Sequence, residues 1–270
     1  MTGKDSANPG KTALVTGASG GIGLELARLL AKDGYNLVLV ARNEKALQEQ
    51  AAEYRSRYGI EARVIVKDLT DPKAPEEIFD ELESAGVKLE VLINNAGYAT
   101  YGKFAELNTK GEMDMLQVNV NALTHLTRLF LPGMLERHSG KIMNLGSTAS
   151  FQPGPLMAVY YASKAYVLSF SEAIANEVQG TGVTVTALCP GPTRTGFQER
   201  ASLEESRLLN NRQIKIMDGA TVARIGYEAM QKGKTVVIPG TVNAIMAQAP
   251  RFSPRKLTTR IVRNMQERAQ

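Results

Sequence analysis

Tryptophan is absent from this chain of 270 residues, cysteine occurs once (Cys189) and histidine twice (His125 and His138). A single cysteine excludes an internal disulfide framework, and nothing argues for an oxidising compartment. Two separated histidines without nearby thiolate or carboxylate spacing do not make a metal site, so no metal is expected. Aromatic residues make up only 6% of the chain. No interleaved aromatic and basic stripe offers nucleic acid a stacking platform. No apolar run reaches the roughly 20 residues that cross a bilayer. The stretch from Met1 to Lys11 is short and polar and lacks an apolar signal core. The expectation is a cytoplasmic protein.

What is present is a large apolar fraction, 43%, ample for a core. The net charge of +5 is unevenly placed. Arg251, Arg255, Lys256, Arg260, Arg263 and Arg268 stand against Glu267, so residues 251–270 carry the whole excess. Apolar, β-rich runs fall at Thr12–Thr16, Leu37–Val40, Arg63–Val66, Val91–Ile93, Lys141–Leu145, Val183–Leu188 and Thr235–Ile238. Segments of helical period lie between or after them: Gly21–Asp33, Glu44–Arg57, Pro72–Ser84, Lys110–Arg137, Val159–Gln179 and Gly219–Lys232. Strands of almost continuous apolar character are covered on both faces. Seven of them alternating with helices predict an α/β fold, a doubly wound parallel sheet in a single domain.

The first strand runs into Thr16-Gly17-Ala18-Ser19-Gly20-Gly21-Ile22-Gly23. Gly17 permits a tight turn. Gly21 and Gly23 remove Cβ atoms where backbone must approach a phosphate and helix must pack on strand. The helix that starts there points free N–H groups and its positive dipole end at a pyrophosphate, within reach of Ser19 and Ile22. The second strand ends Ala41-Arg42, with no carboxylate for a ribose 2′-hydroxyl. A guanidinium there suits a 2′-phosphate, which points to NADP(H) as cofactor. Asp68-Leu69 and Asn94-Asn95-Ala96-Gly97 follow the third and fourth strands, at the sheet ends where such folds bind ligands. Asp68 is a candidate for the adenine amino group, and Asp71 is the better cap for the helix near Pro72.

Tyr160 and Lys164 stand one helical turn apart and share a face. Tyr161, turned by about 100°, points elsewhere. A lysine ammonium close to a phenol favours phenolate and is expected to lower the tyrosine pKa. Ser147, just after the fifth strand, can polarise the carbonyl oxygen that the phenol protonates. This pattern fits hydride transfer between a nicotinamide and a carbonyl or alcohol.

With these motifs in this order, the chain resembles the short-chain dehydrogenase/reductase family, in its small single-domain branch, over about Lys11 to Gly240. The resemblance implies a Rossmann-type catalytic domain at 11–240. The long irregular stretch at 191–218 is read as a substrate loop or lid, residues 1–10 as a flexible N-terminus and residues 241–270 as a basic C-terminal extension. The resemblance also implies that Tyr160 donates the proton in reduction. Lys164 would hold the nicotinamide ribose and connect through water to Asn119 in Val118-Asn119-Val120. Pro190-Gly191 with Thr193 and Thr195 is similar to the segment that passes the nicotinamide carboxamide. Gly146 and Ala122 depart from the usual pattern without touching the chemistry. Wide apolar helices in the family pair subunits, so a homo-oligomer is expected, with Met113, Met115 and Met134 in core or subunit contacts.

An NADPH-dependent carbonyl reductase is the leading expectation, with a 3-oxoacyl-thioester reductase as a subtype and a non-catalytic NADP(H) sensor as the rival. Phe197, Leu203, Leu208 and Leu209 are candidate apolar contacts for substrate. Cys189 is read as packing. In the tail, Leu257, Ile261 and Met265 recur at four-residue spacing, which predicts a short amphipathic helix. Docking on its own or a partner subunit, or a frayed end, is the favoured reading. Contact with an anionic membrane or an acidic carrier is the alternative.

Overall fold

The computed structural model describes residue 8, residues 10–194 and residues 216–267. Thr195, Phe197, Leu203, Leu208 and Leu209 lie outside the described residues. Seven parallel strands form the central sheet: β1 (Thr12–Thr16), β2 (Asn36–Ala41), β3 (Ala62–Val66), β4 (Leu89–Asn94), β5 (Gly140–Leu145), β6 (Val183–Leu188) and β9 (Val236–Val237). Their order is β3-β2-β1-β4-β5-β6-β9. The order reverses between β1 and β4, which opens a crevice at their carboxyl ends. β7 (Thr193–Arg194) and β8 (Met217–Asp218) pair separately, a small parallel ribbon that the sequence pattern did not predict.

Alternation along each strand builds two cores. Ala13, Val15, Leu37 and Leu39 face α1 (Gly21–Lys32), α2 (Glu44–Tyr58) and α7 (Gly219–Gln231). Leu14, Val38 and Val40 face α3 (Ala74–Ser84) and α5 (Leu123–Glu136). Each fully buried leucine or isoleucine contributes roughly 1.5–3 kcal/mol. Met115 and Met134 are fully buried, while Met113 stays exposed. The basic segment forms α8 (Thr241–Gln248) and α9 (Arg255–Gln266), joined by a short turn of 3₁₀ helix (Ala249–Phe252).

Two expectations are corrected. The helix expected over 110–137 is three pieces: α4 (Thr109–Leu116), a π-helical stretch (Gln117–Ala122) and α5. The apolar period survives the wide turn, so periodicity alone did not reveal it. The helix expected from Pro72 begins at Ala74. Asp71 serves the approach instead, its Oδ1 accepting from the Lys73 N–H at 2.9 Å. α6 (Ala158–Glu177) matches its expected span to within two residues.

A buried polar chain ties the middle of the sheet to both flanking helices. Asn94 Nδ2 donates to Asn144 Oδ1 (2.9 Å) and Thr127 Oγ1 (3.1 Å), and Asn144 Nδ2 donates to Ser171 Oγ (3.0 Å). Replacing Asn144 by Leu removes the shared partner and strands buried polar groups at about 1–3 kcal/mol each. We expect Asn144→Leu to lower unfolding free energy by at least about 2 kcal/mol in urea denaturation; an unchanged midpoint would contradict the role of this chain.

Candidate active site

At the carboxyl ends of β1 and β4, the Thr16 hydroxyl accepts from the backbone N–H groups of Asn95 and Ala96, both at 3.0 Å, and donates to the Ile93 carbonyl. Asn95 Nδ2 returns the contact by donating to the carbonyls of Thr16 (2.9 Å) and Gly17 (3.2 Å). The expected dual role of Asn95 is thereby explained: it locks the glycine turn to the fourth strand. Gly17 has a φ of 65°, and a Cβ there would sit 2.7 Å from Asn95 Nδ2. A Cβ on Gly23 would press on the Gly17 carbonyl at 2.5 Å. Gly20 caps α1 with no side-chain bond and with open space around its missing Cβ. The free N–H groups at the start of α1 therefore meet an unobstructed approach.

A cleft of about 1350 Å³ runs from this turn to α6. Gly17, Ser19, Gly21, Ile22, Arg42, Asp68, Leu69, Asn95, Ala96 and Gly97 line one end; Ser147, Tyr160, Lys164, Pro190, Gly191 and Thr193 line the other. Of the predicted site residues that are described, only Gly23 and Asn119 lie behind this wall. Arg42 and Asp68 pair loosely at 3.6 Å and are both substantially exposed, a contact worth little in stability. Partial burial works to raise the Asp68 carboxyl, but hydrogen bonds from Thr70 and the charge of Arg42 outweigh it and hold it below the ordinary range.

Ser147 leaves β5 in extended geometry, its Oγ accepting from the Ala149 N–H at 3.1 Å. The Ser147 side chain lies close enough to the Tyr160 hydroxyl to favour its phenolate form. Lys164 Nζ lies 5.9 Å from the centre of the Tyr160 ring and donates to the Leu145 carbonyl at 2.7 Å. Burial lowers the Lys164 ammonium to about 8 from its usual 10.5. Burial raises the Tyr160 phenol well above its usual 10, with Ser147 pulling weakly the other way. The expected acidification of Tyr160 by Lys164 is thus corrected. Desolvation is the largest cause at both groups.

Asn119 owes its position to the π-helical turn. Its Nδ2 donates to the Tyr98 carbonyl (3.0 Å) and to Ser163 Oγ (3.1 Å), and its Oδ1 accepts from the Tyr98 N–H. A Cβ on Gly97 would lie 2.9 Å from Asn119 Oδ1 and 3.5 Å from Lys164 Nζ, so Gly97 keeps the passage between them open. Cys189 is a buried free thiol, raised by burial to about 12 and chemically quiet.

Sequence reasoning missed several residues here. Ser150 Oγ accepts from the Ser147 N–H and donates to the Lys164 carbonyl at 2.7 Å, fastening the serine loop to α6. Tyr161 does not point away from the site: it lines the same cleft, and its hydroxyl accepts from Gln266 Nε2 at 2.5 Å. The Tyr101 hydroxyl donates to the Gln266 carbonyl at 2.6 Å. Thr258, Val262 and Gln266 form the buried face of α9 and line the cleft. The tail helix therefore docks on its own subunit through these residues, while Leu257 and Ile261 stay half exposed. Thr258 Oγ1 and Gln266 Oε1 are buried there with no hydrogen-bond partner. A face of one apolar and two polar residues at i, i+4 and i+8 carries no apolar period, so only the fold reveals it.

The family model for short chain dehydrogenase matches residues 11–206. The chain belongs to that family. It is 37% identical over 187 residues to a very-long-chain 3-oxoacyl-CoA reductase of Anas platyrhynchos, covering 67% of this chain and 59% of that protein. The chain thus spans less than two thirds of the length of that relative. It is 32% identical over 221 residues to the ketoacyl reductase HetN of a Nostoc species, covering 78% of this chain and 77% of the other. Among solved structures, a short-chain dehydrogenase from Sphingobium yanoikuyae in complex with NADPH aligns with a TM-score of 0.81 and 31% identity, covering 92% of this chain and 94% of its own.

The depressed Lys164 pKa has a testable consequence for stability. Below pH 8 both folded and unfolded chains carry the charge, and the burial penalty is fully present. Between about 8 and 10.5 the unfolded chain holds a proton that the folded chain has released, so stability rises with pH. Cys189 acts with the opposite sign above its usual 9, so the wild type is compared with Lys164→Met. The wild type should gain about 3 kcal/mol on the variant across this window in chemical denaturation; a pH-independent difference would contradict the buried charge.

Proposed function

We propose that the protein reduces a carbonyl to an alcohol with NADPH, reversibly, and that Tyr160 is the general acid and base. The observation that supports this most is that Tyr160, Ser147 and Lys164 line the same cleft as the glycine turn and Arg42, with Lys164 Nζ 5.9 Å from the centre of the Tyr160 ring. The cleft fits a dinucleotide: Gly17 and Gly21, with φ of 65° and 58°, clear its floor, and Gly20 leaves space above it. NADPH bound there supplies a hydride. The α1 N-terminus would hold the pyrophosphate, and Arg42 would take the 2′-phosphate in place of its loose contact with Asp68.

Ser147 and Tyr160 both line the part of the cleft where the carbonyl oxygen is received. As negative charge grows on that oxygen, Tyr160 passes it the phenolic proton and Ser147 holds it by hydrogen bond. Lys164 stands close enough to stabilise the phenolate left behind. Asn119 Oδ1 keeps one lone pair open beyond its bond from Tyr98, so it can hold water for reprotonation along Lys164. Pro190, Gly191 and Thr193 border the nicotinamide end, and Thr195 belongs to the same reading. Oxidation runs these steps backwards.

Substrate meets α9 on the far wall. Ile261, Val262 and Met265 give it an apolar surface, beside Thr258 and Gln266. A 3-oxoacyl thioester fits such a wall; one relative of this chain is named a 3-oxoacyl-CoA reductase and another a ketoacyl reductase. The half-exposed Met113 and Tyr166 on α4 and α6 support a homo-oligomer formed through those helices. A cytoplasmic setting agrees with the free thiol of Cys189. A sensor that binds NADP(H) without turnover would not need the Ser147–Tyr160 contact.

Tyr160→Phe should cut carbonyl-dependent NADPH oxidation at 340 nm at least 100-fold while NADPH still binds. Retained activity would remove Tyr160 as proton donor, and silence of the wild type across a broad carbonyl panel would favour the sensor. Arg42→Asp should reduce the NADPH-over-NADH preference in kcat/KM by roughly 10–100-fold, the worth of a charge-assisted bond; an unaltered ratio would refute the phosphate contact.

A further inference from the structure

Six of the ten large apolar side chains most exposed among the described residues fall on three consecutive elements near the C-terminus: Val242, Ile245 and Met246 on α8, Phe252 on the 3₁₀ turn, and Leu257 and Ile261 on α9. Phe252 is 90% exposed, Ile245 66% and Val242 65%. Isolated apolar side chains at a surface are ordinary, but this concentration is not. The same elements carry Arg251, Arg255, Lys256, Arg260 and Arg263, and Glu267 is the one acid between 241 and 267. Glu267 pairs with Arg263 at 3.0 Å. The other four cations have no ion pair among the described residues.

The buried face of α9 is already used, through Thr258, Val262 and Gln266. The outward surface is therefore left with Leu257 and Ile261 on one flank and Lys256 and Arg260 on the other. A second copy of this chain is a poor occupant, because a two-fold contact would set the same unpaired cations against each other. An anionic lipid surface answers both halves of the pattern: acyl chains take the apolar side chains and headgroups take the cations. Met246 and Ile261 belong to both the outer patch and the lining of the cleft, so the patch reaches the active-site mouth.

We propose that α8, the 3₁₀ turn and α9 form a docking face for anionic membranes, which seats the mouth of the cleft against lipid. The face lies on the membrane and does not cross it; among the described residues no helix is long and apolar enough to span a bilayer.

The test is co-sedimentation of the full chain with vesicles of phosphatidylcholine alone and of phosphatidylcholine mixed with phosphatidylglycerol. The wild type should bind the mixed vesicles and lose affinity with salt and with removal of phosphatidylglycerol. Arg255→Glu with Lys256→Glu should weaken binding by at least 25-fold, about fivefold for each cation removed. Ile245→Ser with Phe252→Ser should weaken it by at least tenfold. All four positions are exposed and none lines the cleft, so circular dichroism and NADPH affinity should match the wild type. Failure to sediment with the anionic vesicles overturns the proposal, as does equal binding to both vesicle types. A lipid-free change of oligomeric state abolished by Ile245→Ser with Phe252→Ser would assign the face to a second copy, and capture by an acidic carrier protein without vesicle binding would assign it to that protein; either result also overturns it.

Discussion

A lysine ammonium held in the interior by the Leu145 carbonyl is the constraint around which the rest of the site is arranged. Burial drives the Lys164 pKa down to about 8, so the folded chain carries a charge that it does little to solvate. That situation is costly in a resting protein and useful in one whose chemistry forms a phenolate and binds an anionic dinucleotide. Lys164 is placed by α6, α6 is fastened to the Ser147 loop through Ser150, and the Ser147 loop starts at the end of β5. The geometry at the reacting end is thus inherited from the sheet.

The same dependence holds at the other end of the cleft. Thr16 and Asn95 stitch β1 to β4 at the point where the strand order reverses, and the glycine turn is shaped by that stitch. The two ends meet where Gly97 separates Asn119 from Lys164. The proposed binding and chemistry therefore depend on a few hydrogen bonds at strand ends, with the two apolar cores beneath them.

Much of this was legible in the sequence because it is carried by local pattern. Strand-helix alternation gave the sheet, glycine spacing gave the turn, and the i, i+4 interval gave the Tyr160–Lys164 pair. What stayed hidden depended on contacts distant in the chain. The π-helical turn at Asn119 leaves the apolar period of its helix intact. The acid strength of Tyr160 was misjudged because spacing shows a neighbouring cation but not the burial of both groups. Tyr161 was set aside on helix geometry, yet α9 comes back across the cleft and meets it through Gln266. The tail was read as an extension beyond the catalytic domain, whereas its buried face supplies the far wall of the cleft.

The central claim is that the Tyr160 phenol and a reduced dinucleotide share one crevice at the end of the sheet. A crystal structure of the NADPH complex tests it most directly. The account predicts the nicotinamide ring beside the Tyr160 hydroxyl, the ribose near Lys164 and the 2′-phosphate on Arg42. A dinucleotide lodged elsewhere, or a phenol turned out of the crevice when NADPH is bound, would contradict it.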